Sequence, residues 1–383
     1  MLVIKNGKLL TITNGVIENG AILIENGKIK EIGKNVTIPK NAKVIDASGK
    51  YVLPGLIDAH TNIGLKEGGI RWEGADHIEQ TEAVVPQLRP VDGFNPLDVA
   101  LKEAREAGVT VSNVTPGDVN VFGGIGSAFK LAGYLADEMY ITDTCVKVAL
   151  GENAKNIFGG KKIPSTRMGT AALLRENLLK ASNYLKKLKK GKEDDSKMPK
   201  RDLKMEALVR VIKKEVPLHI HAHRADDIMT AIRITNEFNV NMVLVHAYEA
   251  YKVAKYLKKY KISVVFGSIW SARWQVETAN LNMATPKILV DEGVKIALTT
   301  THPNQPIYLL PMCAALAVRE GLSMQEALKS ITINAAEIMG LSNRIGSLET
   351  GKDADIVIMD NHPLQLMSKV EYTLINGEIV YKS

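Results

Sequence analysis

Apolar and polar positions change period twice along the 383 residues. Over the first fifty, short alternating stretches (Val3-Ile4, Leu9-Leu10-Thr11-Ile12, Ala21-Ile22-Leu23-Ile24 and Lys30-Glu31-Ile32) are divided by the pairs Asn6-Gly7, Asn14-Gly15, Asn19-Gly20 and Asn26-Gly27. Both residues of such a pair tolerate positive φ, so the pairs predict hairpin turns between strands. The grammar returns at the other end, in Ala354 to Met359 and in Tyr372 to Tyr381 around Asn376-Gly377. Neither piece closes a core alone. The expectation is one small β-sandwich made of residues 1–53 plus 345–383, with a larger domain, 54–344, inserted between them.

In that larger domain, apolar β-rich runs alternate with amphipathic helical stretches, as parallel βα units do. Candidate strands are Gly55 to Ala59, Val109 to Val114, Cys145 to Leu150, Pro217 to Ala222, Asn241 to Val245, Ser263 to Phe266 and Val294 to Thr299, with one more needed near Gly126 to Lys130. Helical spacing runs through Pro96 to Ala107, Ala225 to Phe238, Ala250 to Tyr260 and Thr285 to Glu292. Seven or eight such units make a (β/α)8 barrel or a doubly wound sheet. No glycine-rich fingerprint opens a helix after the first strand, which disfavours a dinucleotide fold.

Composition narrows the class. With 45% hydrophobic residues and no apolar run near the ~20 residues of a membrane span, a soluble globular chain is expected. Alternation begins at Met1-Leu2-Val3-Ile4-Lys5, without the grammar of a leader peptide. Two cysteines, Cys145 and Cys313, are too few for a disulfide framework and point to the cytoplasm. The formal charge of +7 owes much to the run from Lys186 to Lys204, where Glu193, Asp194 and Asp195 intervene. A mixed run of that kind is a solvated helix end and loop, so no nucleic-acid partner is expected. The expected partners are a small-molecule substrate and further copies of the chain, with no membrane.

Reactive residues in a barrel gather where strands end. His60, His221, His246 and His302 each fall at the end of a candidate strand, and converging imidazoles are what a zinc-type ion requires. His219, His221 and His223 alternate along one strand and share a face. His77 and His362 lie in loop sequence and read as ordinary hydrogen-bonded imidazoles.

Pro54-Gly55-Leu56-Ile57-Asp58-Ala59-His60-Thr61 resembles the first-strand signature of the amidohydrolase superfamily. Gly346 to Val357 resembles that family's return into its β-sandwich, and Ser330 to Ala336 the helix before it. The resemblance spans the whole chain and is nearest the imidazolonepropionase-related branch, where His221-Ala222-His223-Arg224-Ala225-Asp226-Asp227 and Asn120 to Gly126 also find counterparts. It implies metal ligands at His60, His221 and His246. Two expected positions depart: Asn62 stands for the second histidine of the first-strand pair, and Thr301 for the aspartate of the eighth strand. Thr301 has no ionisation near neutral pH, and losing a general base typically costs ~10² to 10⁴ in rate.

Substitutes are on offer. His302 replaces the base if the chain turns it inward; Glu152, after the fourth strand, supplies a carboxylate ligand; His223 adds an imidazole or contacts substrate. Relatives place a carboxylated lysine on the fourth strand, but Lys147 reads as mid-strand and away from the site. Arg224 is positioned to hold a substrate carboxylate, and Asn113, Thr115 and the loop Gly123 to Gly126 to line a pocket. The expectation is a hydrolase of a small molecule's amide C–N bond, using one divalent ion, zinc, in a reduced site. The alternative is a metal-free, catalytically silent paralogue serving as a binding or assembly protein.

Overall fold

A computed structural model describes residues 1–69, 71–160, 163–273 and 275–383. Both chain ends enter one sheet. Strands β1 (Leu2–Leu10), β2 (Val16–Glu25), β3 (Lys28–Gly33), β4 (Lys43–Asp46) and β5 (Tyr51–Pro54) come from the N-terminal segment. Strand β5 leads straight into the inserted unit, whose strands are β6 (Leu56–Thr61), β7 (Val109–Val114), β8 (Gly124–Lys130), β9 (Tyr140–Ala149), β10 (Leu218–Ala222), β11 (Met242–His246), β12 (Ser263–Phe266) and β13 (Ile296–Leu298). The chain then returns through β14 (Ile356–Met359), β15 (Val370–Ile375) and β16 (Glu378–Lys382). In the terminal sheet the order is β16-β15-β14-β5-β1-β2-β3, with β4 also on β1, so the two ends meet where β14 pairs antiparallel with β5. Ile4, Leu9, Ile22, Val52, Ile356 and Leu374 are buried together there and give the sheet its own core.

Two of the four N-terminal Asn-Gly pairs lie where the chain turns: Asn14-Gly15 between β1 and β2, and Asn26-Gly27, at φ 50° and 76°, between β2 and β3. At the other end Asn376-Gly377 turns β15 into β16. Asn6-Gly7 and Asn19-Gly20 do not turn the chain. They lie inside β1 and β2, where Gly7 and Gly20 sit opposite each other at a register break. A Cβ on Gly7 would come within 2.6 Å of Val52 and one on Gly20 within 2.5 Å of Leu9, so these glycines admit a close crossing of core side chains.

The eight strands β6 to β13 are paired in chain order into a nearly closed, barrel-like sheet. Apolar residues such as Val146, Val148, Ile220, Leu244 and Val264 face the surrounding helices, while Val111, Val243, Val245, Val265 and Ala297 belong to a second cluster. One expectation changes here. Strand β8 runs antiparallel to both β7 and β9. No helix connects β7 to β8, so residues 115–123 bring the chain back from the same end of the sheet at which β7 leaves it. That connection therefore hangs over the barrel mouth.

Backbone pairing does not join β13 to β6; side chains close the seam. The buried carboxylate of Asp58 accepts from the Thr300 N–H at 3.1 Å and from the hydroxyls of Thr299 and Thr300, each at 2.5 Å. The Thr299 hydroxyl also lies 2.6 Å from the His60 carbonyl, and the Asn62 N–H donates to the His302 carbonyl. The first and last strands are thus held in register directly beneath the histidines. Among the described residues, no helix is long and apolar enough to cross a membrane.

Candidate metal centre and active site

His60 at the end of β6, His221 on β10 and His246 at the end of β11 converge on the mouth of the sheet, as the strand-end pattern implies. The group they surround is one that sequence reasoning missed. Asp118, in the β7–β8 connection, dips between them: its Oδ2 lies 2.9 Å from His246 Nε2, and its Oδ1 lies 3.6 Å from both His60 Nε2 and His221 Nδ1. Lys147 Nζ, wholly buried, reaches within 2.5 Å of the same Oδ1. Burial alone would raise the Asp118 pKa, but Lys147 and the three imidazoles hold the carboxyl well below its usual value.

Each ring is turned by a specific neighbour. His246 Nδ1 lies 2.8 Å from the Gly267 carbonyl, which can only accept, so Nδ1 carries the proton. His246 and Ala247 both adopt left-handed backbone, at φ 69° and 56°, a strained pair that carries the chain out of the strand. His60 Nδ1 meets the Thr115 hydroxyl at 3.1 Å, and His221 Nε2 faces the Asn153 amide at 3.4 Å. Desolvation pushes His60 and His223 down to about 3 and His221 well below its usual value, so these rings are neutral at pH 7.

These donors fit a divalent ion. With Nδ1 committed to the Gly267 carbonyl, His246 turns Nε2 toward a carboxylate oxygen 2.9 Å away. Two acceptors stay that close only with a proton or a cation between them. Ligand atoms of His60, Asp118 and His246 all lie within 4.8 Å of one another, and His221 Nδ1 is buried beside them without a hydrogen-bond partner among the described residues. Neighbouring ligands on a tetrahedral zinc stand roughly 3.3 Å apart, given bonds of ~2.0–2.1 Å, so the spacing and the nitrogen–oxygen donor set both match.

The remaining candidates are distributed differently. His223 lines the cavity above the cluster, its ring 4.2 Å from that of Tyr248. Asn62 donates its amide N–H to the Thr115 carbonyl at 2.8 Å. Thr301 is buried at φ 54° with its hydroxyl unpartnered among the described residues, and His302 takes the Ile307 N–H on Nδ1; neither lines the cavity. Glu152 is not brought to the metal cluster, because it begins the helix Glu152–Phe158 and its carboxylate accepts the Glu277 N–H at 3.3 Å. Arg224 is not brought to the cavity either: its guanidinium forks onto Asp226, two residues away, at the surface. Asn113 is wholly buried, bound to the Ala59 carbonyl and the Thr144 hydroxyl, so both ends of its amide are used beneath the site. Lys147 corrects the expectation in the other direction. It stands two residues from the end of β9, and its four-carbon stem carries the amine up to the mouth.

Comparison with known proteins agrees with this architecture. The Amidohydrolase family pattern matches residues 51–380. An amidohydrolase from Thermotoga maritima MSB8 is 40% identical, superposes with a TM-score of 0.97 and covers 100% of both chains. Amidohydrolase tasK of Hapsidospora irregularis is 27% identical over 94% of this chain, which spans only 39% of that relative's length. A probable imidazolonepropionase of Homo sapiens is 26% identical over 96% of this chain and 92% of its own. With the signature strand, the barrel-like sheet and the histidine cluster in place, the chain belongs to the amidohydrolase family.

Proposed function

We propose that the protein hydrolyses an amide C–N bond of a small molecule, with one divalent ion, zinc by donor type, held by His60, His246 and Asp118 and approached by His221 Nδ1. The observation that carries this reading is the convergence of ligand atoms of His60, Asp118 and His246 within 4.8 Å of one another, with His246 Nε2 2.9 Å from Asp118 Oδ2. When bound, such an ion supplies a Lewis acid that polarises a carbonyl and acidifies water. The chain's own residues do the rest. Thr115 and Gly267 fix the rings of His60 and His246, and Lys147 balances and orients Asp118. As the one carboxylate lining the cavity among the described residues, Asp118 is also the group able to accept a proton there, the role Thr301 cannot fill. His223, neutral on the wall, orients the substrate carbonyl.

Elemental analysis of protein purified without chelator tests this directly, with about one ion per chain expected. Asp118→Asn and His246→Ala should each lose the ion and with it any hydrolysis of a panel of N-acyl amino acids, dipeptides and cyclic amides. Two tightly held ions per chain would contradict the mononuclear assignment. The silent-paralogue reading draws support from Asn62, whose amide is spent on Thr115. No bound metal together with no turnover across the panel would favour it.

A further inference from the structure

The cavity over the histidine cluster encloses about 380 Å³. Its charge sits on its floor: Asp118 is there, and among the described residues no Lys or Arg lines the walls. Four amides (Asn153, Gln275, Asn304, Gln305) and two rings (Tyr248, Trp270) make up much of the lining. Three arginines on neighbouring segments are each committed elsewhere. Arg224 is forked onto Asp226, Arg167 bridges Asp227 and Glu277, and Arg273 donates to the carbonyls of Ala279 and Leu281. A substrate carboxylate seated on the walls above the floor would meet no side-chain cation among the described residues to replace the water it loses there.

The polar groups that remain describe what does fit. Gln275 donates to Asn153, Asn153 faces His221, and Gln305 spans the Trp270 carbonyl and Cys313. Asn304, exposed at the rim, alone of the four has no side-chain partner among the described residues; its backbone N–H donates to the Thr301 carbonyl. A free carboxamide offers two donors and an acceptor side by side, the complement of another amide edge. Trp270 keeps 37% of its surface exposed beside it, a platform for a flat apolar face.

We propose that the substrate is a neutral, flat small amide whose amide edge pairs with Asn304 over Trp270 and which carries no carboxylate. This rests on the hydrolase reading of the same site, and binding separates the two. Zinc-loaded protein is given matched pairs, N-acetylalaninamide with N-acetylalanine and dihydrouracil with dihydroorotate, and both calorimetric affinity and hydrolysis are measured. The neutral member of each pair should bind at least about tenfold more tightly. Asn304→Leu should weaken that binding about tenfold at unchanged zinc content, and Asn304→Arg should shift preference to the carboxylated member. Neutral members that bind but are not cleaved would sink the hydrolase reading and leave this one standing. Carboxylated members binding as well or better, or no neutral member binding at millimolar concentration, would overturn it.

Discussion

Lys147 Nζ lies 2.5 Å from Asp118 Oδ1, joining β9 to the connection between its neighbours β7 and β8. The pair brings a positive charge into a cluster of buried imidazoles, and Asp118 is its counter-ion. Removing one member of a buried pair typically costs about 3–5 kcal/mol. Lys147→Met is therefore expected to lower the urea-unfolding stability of chelator-treated protein by about 3 kcal/mol. Added zinc should return much of that, since a second cation then faces the carboxylate; equal losses with and without zinc would argue against a metal at Asp118.

Thr301 offers the opposite case. A β-branched residue at φ 54° is strained, and its buried hydroxyl has no partner to lose among the described residues. Asn visits the left-handed region far more readily, at a saving that reaches ~1 kcal/mol. Thr301→Asn should raise the thermal midpoint in calorimetry, and a lowered midpoint would show that the threonine methyl packs more usefully than its backbone suggests.

Burial sets a pH dependence. Desolvation takes His302 and His77 down to about 4 and His223 to about 3, from an ordinary value of 6.5. Below pH 6.5 the unfolded chain binds protons that the folded chain refuses, so folding stability rises with pH and falls as pH drops from about 6.5 toward 4. Urea midpoints of metal-free protein at several pH values should follow that slope, and His302→Gln should flatten it; a midpoint independent of pH across this window would contradict neutral burial.

Lys130 is the charge that welds the two sheets. From β8 it reaches Asp355 at 2.5 Å, Asp353 at 3.1 Å and Asn376 at 3.0 Å, all beyond the barrel, with 4% of its surface exposed. Lys130→Met leaves Asp355 buried and uncompensated, and a loss of about 3 kcal/mol is expected. Limited proteolysis should then release the C-terminal strands early, whereas an unaltered cleavage pattern would mean that apolar packing alone holds the terminal sheet in place.

The parts of the site that were legible in the sequence are those set by strand periodicity. His60, His221 and His246 occupy strand ends, and the signature around His60 pairs them with a family. Asp118 was hidden because Pro116-Gly117-Asp118 has the composition of any tight turn. One signal was available: no helical spacing separates Val114 from Gly124, so a connection that short had to return at the mouth. Lys147 was discounted by position along its strand, although the length of a lysine side chain makes backbone level a poor guide to where its charge ends. Arg224 shows the reverse error, a motif residue at the right place in the chain whose nearest carboxylate, Asp226, claims it first.

The reversed β8 strand divides two duties that a single segment might otherwise share. Thr299 and Thr300 lock the end of the last strand to Asp58, while the negative charge arrives on a separate hairpin connection. A substitution at position 118 can therefore retune the charge at the mouth without loosening the ring of strands beneath it. The threonine seam can drift in its turn without taking the charge away. The architecture makes acidity at this site a detachable part, able to change on its own.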